Sequence, residues 1–146
     1  MVHIRIEAEI RPTESEKRVV QAIKRVFFVD EVRIVELGNG TKLAVAEADE
    51  VTPLLKIYEL LRRQRILDTA RSVFLRNSSG SVLSVKLNKQ VAYQGIVSFV
   101  DSDDESPLGA INLVVVSDKL REIIDWLAPR TAHGRPLWEK DVPRNV

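Results

Sequence analysis

Apolar and polar positions first alternate along the chain. Ile4, Ile6, Ala8 and Ile10 share one parity, while His3, Arg5, Glu7 and Glu9 share the other. That period of two predicts a strand with one buried face. After Pro12 the spacing lengthens. Thr13 and Glu16 fit a capping box, in which the hydroxyl and the carboxylate each satisfy an orphan amide. A helix is expected to about Phe28, with Val20, Ile23 and Phe27 on its apolar stripe, Val19 and Val26 beside it, and Lys17, Arg18, Lys24 and Arg25 in water. Residues 31–37 and 41–48 read as two strands. Gly38-Asn39-Gly40 joins them, because these residues tolerate the positive φ of a tight hairpin.

Thr52 as N-cap and Pro53 at the first helical position open the next helix. Leu54, Ile57, Tyr58 and Leu61 follow helical spacing. A break near 63–65 precedes a second helix through Ile66, Ala70, Val73 and Phe74. Asn77-Ser78-Ser79-Gly80 ends the helical region. Leu83, Val85 and Leu87 then point one way along a strand over 82–87. Residues 95–100 and 110–116 read as two more strands, joined by the acidic loop 101–107, and residues 91–94 fit either a strand or a helical turn. Asp118 suits the cap of a last helix, whose stripe is Leu120, Ile123, Ile124 and Leu127 and which Pro129 stops.

The expected order is β-α-β-β-α-α-β-β-β-α. It implies an α+β two-layer sandwich, with a largely antiparallel or mixed sheet and helices on one face. Residues 1–129 are expected to form a single domain, and 130–146 an extended tail that Trp138 could pin. The 146 residues suit one domain, and the 45% apolar content can fill a core. No apolar run reaches the ~18 residues of a spanning helix, and the alternating start does not resemble a signal peptide. A cytoplasmic location is expected. With no cysteine there are no disulfides, thiolate metal sites or thiol catalysis.

Catalytic and metal chemistry are thinly supplied. His3 and His133 lie far apart and outside any ligand-spaced motif. Asp101, Asp103, Asp104 and Glu105 could hold a hard cation, but they lack the 12-residue calcium pattern and read as a solvated hairpin loop. No Gly-x-Ser-x-Gly elbow or phosphate loop occurs. Glu7 and Glu9 form the kind of carboxylate pair that alternating strands produce routinely. No metal, cofactor or catalytic residue is therefore assigned.

The charge map says more. Net charge is only +1, yet residues 62–90 carry Arg62, Arg63, Arg65, Arg71, Arg76, Lys86 and Lys89 against Asp68 alone, while both flanks are acidic. Five of the seven are arginine, whose planar fork suits phosphate. These side chains could bind phosphate, or could pair with acids brought near by folding. Aromatic interleaving is weak. Tyr93 and Phe99 could stack bases, but Tyr58, Phe74 and Phe99 are also simply core. No RRM or KH signature is present.

Residues 86–111 carry a resemblance. Lys89-Gln90-x-Ala92-x-x-Gly95, Phe99, the acidic loop and Pro107-Leu108-Gly109-x-Ile111 are similar to an archaeal family of small uncharacterised proteins. Ile66-Leu67-Asp68-x-Ala70-Arg71 and Ile124-Asp125-Trp126-Leu127-Ala128-Pro129 extend the likeness over nearly the whole chain. The resemblance implies a fold like that of ribosomal protein number five of the large subunit, RNA binding without catalytic residues, and a link to the archaeal RNA-degrading exosome. The expected RNA contacts are Arg62, Arg63, Arg65, Arg71, Arg76, Lys86, Lys89 and Gln90. Two rivals stand beside RNA binding. One is an assembly module that docks on a larger complex or self-associates as a homodimer. The other is an enzyme acting on nucleotides or phosphorylated metabolites.

Overall fold

The alternation at the start of the chain becomes β1 (Val2–Ile10), whose even positions are buried to the last residue while His3 and Glu9 lie open to solvent. A computed structural model of the chain describes residues 1–102, 105, 108–144 and 146. After β1 come α1 (Glu16–Val26), β2 (Arg33–Gly38), β3 (Thr41–Ala48), a 3-10 turn (Thr52–Leu54), α2 (Leu55–Arg63) and α3 (Leu67–Arg76). Then follow β4 (Ser78–Ser79), β5 (Val82–Asn88), α4 (Lys89–Ala92), β6 (Phe99–Val100), β7 (Ala110–Ser117) and α5 (Leu120–Leu127). A two-residue hairpin, β8 (Thr131–Ala132) and β9 (Arg135–Pro136), lies in the tail.

The main sheet runs β2-β3-β1-β7-β5-β4, with β6 also pairing β5, and every described pairing in it is antiparallel. Register puts Ile4 opposite Ala48 and Val115, and Ile6 opposite Ala46 and Leu113. Leu83, Val85 and Leu87 continue that row on β5. This face is covered by the buried stripes of α1 (Val19, Ala22, Ile23, Val26), α2, α3 and α5 (Leu120, Ile123, Ile124, Trp126, Leu127). The result is the expected α+β two-layer sandwich. The opposite face shows water His3, Arg5, Val116, Val82 and Lys86 among others.

Several local expectations shift. Helix α1 is capped by Ser15 rather than Thr13: the Ser15 hydroxyl accepts the Arg18 N–H at 3.3 Å, and the Glu14 carboxylate accepts the Arg11 N–H at 2.9 Å. Thr52 makes no capping bond, and Val51 precedes the 3-10 turn instead. Nor does Asp118 cap α5. The Ser117 hydroxyl accepts the Lys119 N–H at 3.0 Å, while Asp118 lies 3.4 Å from the N-terminal ammonium. The hairpin is as read: Gly38, Asn39 and Gly40 all have positive φ (99°, 54° and 78°).

The strand expected over 95–100 shrinks to Phe99–Val100. Residues 91–94 belong to the helical turn begun by α4. Upstream of β6, Gln64 takes the place of a strand partner. Its side-chain oxygen accepts the Val97 N–H at 2.8 Å and its amide donates to the Val97 carbonyl at 2.9 Å. A side chain thus completes a pairing that backbone supplies elsewhere in the sheet. Of the acidic loop, Asp103, Asp104, Ser106 and Pro107 lie outside the described residues.

Candidate nucleic-acid interface

The basic segment folds into α2, the α2–α3 turn, α3, β5 and the start of α4, so its side chains leave in different directions. Arg62 turns inward. Its guanidinium donates to Glu139 (Nε–Oε2 3.0 Å, Nη2–Oε1 2.6 Å) and to the carbonyls of Tyr58 (3.1 Å), Leu127 (3.1 Å) and Trp126 (3.3 Å). Those bonds engage all five N–H donors of the group. The guanidinium carbon also sits 3.5 Å from the Tyr58 ring centre, and Tyr58 stacks on Trp126 at 5.0 Å. The Glu139 carboxyl is held below its usual range, chiefly by the hydrogen bond from Arg62. Burial pushes the Tyr58 hydroxyl up.

Arg71 is more deeply buried. Its Nη1 lies 2.9 Å from Asp125 Oδ1 and donates to the Ala128 carbonyl at 3.0 Å. Asp125 also lies 3.3 Å from Arg121, and its backbone carbonyl accepts the Trp138 indole N–H at 2.8 Å. The tail is therefore pinned at Trp138, and two inward arginines hold α2, α3, α5 and the tail together. Lys86 projects from the helix-free face and donates to Asn112 Oδ1 at 2.6 Å. Arg76 is exposed, 3.8 Å from Asp101.

Arg63 and Arg65 also reach solvent. Arg65 turns the chain with φ of 58°, and its N–H donates to the Arg62 carbonyl at 3.1 Å. It lines a cleft with His133 and Arg135 from the β8–β9 hairpin, together with Arg62, Asp68 and Glu139. The Thr131 hydroxyl donates to Asp68, fixing the hairpin against α3. His133 and Arg135 were not singled out by sequence as RNA contacts. They lie in the tail, and no periodicity links a tail residue to a turn so far upstream.

Lys89 and Gln90 belong to a second place. Asn88 caps α4 by accepting the N–H groups of Gln90 (2.9 Å) and Val91 (3.1 Å). Lys89 is 3% exposed, and its ammonium donates to the Glu9 carbonyl (2.7 Å) and Glu14 Oε1 (3.0 Å). Burial pushes this ammonium below its ordinary range, and Glu14 opposes the shift. A cleft of about 330 Å³ opens here between α1 and α4, lined by Glu14, Ser15, Arg18, Lys89, Gln90 and Tyr93 among others. Arg18 lies over the Tyr93 ring at 5.5 Å.

The eight expected contacts thus divide among the α2–α3 turn, the α3–α5 interior, the far end of α3, the helix-free sheet face and the α1–α4 cleft. Among the described residues no group of three or more His, Cys, Asp or Glu could hold a metal ion, and no helix is long and apolar enough to cross a membrane.

Known proteins supply the remaining context. A family model described as RNA binding matches residues 3–117. The UPF0201 protein of Aeropyrum pernix is 41% identical over 143 residues, covering 97% of this chain and 95% of that one. That of Sulfolobus acidocaldarius is 43% identical over 143 residues, covering 98% of each. Among solved structures, the UPF0201 protein from Methanococcus jannaschii superposes with a TM-score of 0.82 at 30% identity, over 92% of this chain and 98% of that one. A DUF54 protein from Methanothermobacter thermautotrophicus, at 20% identity and a TM-score of 0.56 over 86% of this chain and 96% of its own, shares the fold. The match over residues 3–117 and the identity along nearly the full length make this chain a member of the family whose model is described as RNA binding and of the archaeal UPF0201 proteins.

Proposed function

We propose that this chain is a non-catalytic RNA-binding domain that grips the sugar–phosphate backbone at the α2–α3 turn. The observation that carries this reading is the cleft lined by Arg65 together with His133 and Arg135, side chains from two distant segments, while Arg63, the exposed last residue of α2, lies two positions before Arg65 in the chain. Arg62 lines the same cleft but serves as scaffold, since its donors are already engaged. Arg76 and Lys86 lie away from this cleft, at the far end of α3 and on the helix-free sheet face, and are not part of the grip. Cations that meet phosphates in this way position a strand without reading its sequence. An RNA-processing complex is the setting in which such a domain would work.

Salt dependence tests it. On a single strand, each phosphate that the protein no longer neutralises lowers the slope of log affinity against log salt by about 0.7. Changing Arg63, Arg65 and Arg135 together to Ala should flatten that slope by about two units and weaken unrelated RNAs alike. Changing Lys17, Lys24 and Arg25 on α1 removes equal charge elsewhere. Equal weakening by the two triple variants would overturn the local site.

A second reading, an assembly module without RNA, draws on the helix-free sheet face, where Val35, Val82 and Val116 are each more than a third exposed. Light scattering that finds a stable oligomer, with no RNA binding at low salt, would favour it.

A further inference from the structure

The α1–α4 cleft differs from the arginine site in chemistry. Its floor includes the buried Val19 and Ala22, and its wall includes the half-buried Tyr93 ring with Arg18 above it. Thr13, Glu14, Ser15, Arg18, Lys89 and Gln90 bring polar groups to its rim. Small-ligand sites commonly span ~300–1,000 Å³ and set apolar and aromatic surface beside placed polar groups, and this cleft, although richer in polar residues than most, offers both. We propose that this cleft receives a single unpaired nucleobase, which stacks on Tyr93 and meets the Gln90 amide along its edge.

Gln90 is suited to that role. Its backbone N–H is fixed by Asn88, while its exposed side-chain amide makes no hydrogen bond among the described residues. The amide offers both a donor and an acceptor, as a base edge requires. Two of the three Lys89 donors are committed to Glu9 and Glu14, and this side chain also lines the cleft. Lys89 pairs with the Glu14 carboxylate, so part of the charge in the lining is already neutralised before a base enters. In a duplex the base faces are stacked and the edges paired, so only a strand with splayed bases can enter.

The inference rests on the RNA-binding reading above and adds a preference for single strands. Fluorescence anisotropy would compare a labelled single-stranded RNA of about a dozen nucleotides with the same strand annealed to its complement. Wild-type protein should bind the single strand about tenfold more tightly. Removing one base–aromatic stack corresponds to about 5- to 150-fold, so Tyr93→Leu should erase the preference while leaving duplex affinity and the salt slope unchanged. Gln90→Ala should weaken the single strand about 2- to 10-fold and, being at an exposed position, serves alone if Tyr93→Leu does not fold. Equal affinity for both RNAs, with neither variant distinguishable from wild type, overturns the base site and leaves the backbone site standing. Absence of binding to either RNA at low salt overturns both.

Discussion

Gln64 offers the sharpest test of how this fold is held. It closes the α2–α3 turn on one side and pairs with both backbone groups of Val97 on the other. Val97 is 3% exposed, so water does not readily replace the missing amide. A buried backbone group left unpaired costs ~1–3 kcal/mol, and two are stranded when the side chain is cut back. Gln64→Ala should therefore cost about 2–6 kcal/mol. In urea, with m of ~2 kcal/mol/M, that is a midpoint lower by ~1–3 M with m unchanged. Gln64→Glu refines the test. At neutral pH its carboxylate still accepts the Val97 N–H but sets a second acceptor against the Val97 carbonyl. Protonation restores the donor, so the folded state raises the pKa of this new carboxyl above its ordinary ~4.3. The restored stability is then present below ~4.3 and is lost as pH rises through the raised value. The gap to wild type should widen between pH ~4 and ~7. A loss under ~0.5 kcal/mol for Gln64→Ala, or a Gln64→Glu gap that ignores pH, would refute the clamp.

Three further outcomes follow from packing and charge. Gly40→Val places a β-branched residue at φ of 78° with its Cβ 3.3 Å from Pro12 Cγ, and should lower stability by ~1–3 kcal/mol in a thermal melt. Ile124, 1% exposed under the sheet, should cost ~2–5 kcal/mol when changed to Ala, measured by urea unfolding. The His3 pKa is raised, first by its hydrogen bond to Asp49 at 2.9 Å and further by Glu47, so its stabilising contribution is complete below ~6.5 and fades as pH rises through the raised folded value. An NMR titration of the His3 ring should show that raised value, and Glu47→Gln together with Asp49→Asn should return it to the ordinary one.

Periodicity was legible where a residue answers to its own segment. The alternation of Ile4 to Ile10, the stripe Leu120–Leu127 and the Gly38–Gly40 turn all follow from local spacing. The caps were harder, because Ser15 and Thr13 are both hydroxyls near the start of α1 and only chain direction decides between them. The shortened strand before Phe99 depends on Gln64, a side chain far upstream. For the basic segment, sequence supplied the charges but not their bearings. Arg62 meets Glu139 across 77 positions and Lys89 meets Glu14 across 75, distances over which no local rule operates. Tyr93, weighed as a base-stacking residue, does reach a cleft, while Phe74 and Phe99 pack edge to face at 5.6 Å.

The position of β1 between β3 and β7 sets a timetable for a chain emerging from the ribosome. Strands β1, β2 and β3 can zip together early, since their registers need nothing beyond Ala48. Strand β5 cannot join them, because β7 stands between it and β1 and is made later. Until Ser117 has left the tunnel, β5 has only the two-residue strands β4 and β6 to pair with, and Val85 has no cross-strand partner among the described residues. Pairings so remote in sequence are slow to form and leave strand edges exposed to association in the meantime. Arg71 and Arg62 wait longer still, for Asp125 and Glu139. A nascent chain halted before β7 would thus carry an unfinished sheet and two uncompensated cations, the kind of surface that chaperones and anionic polymers retain.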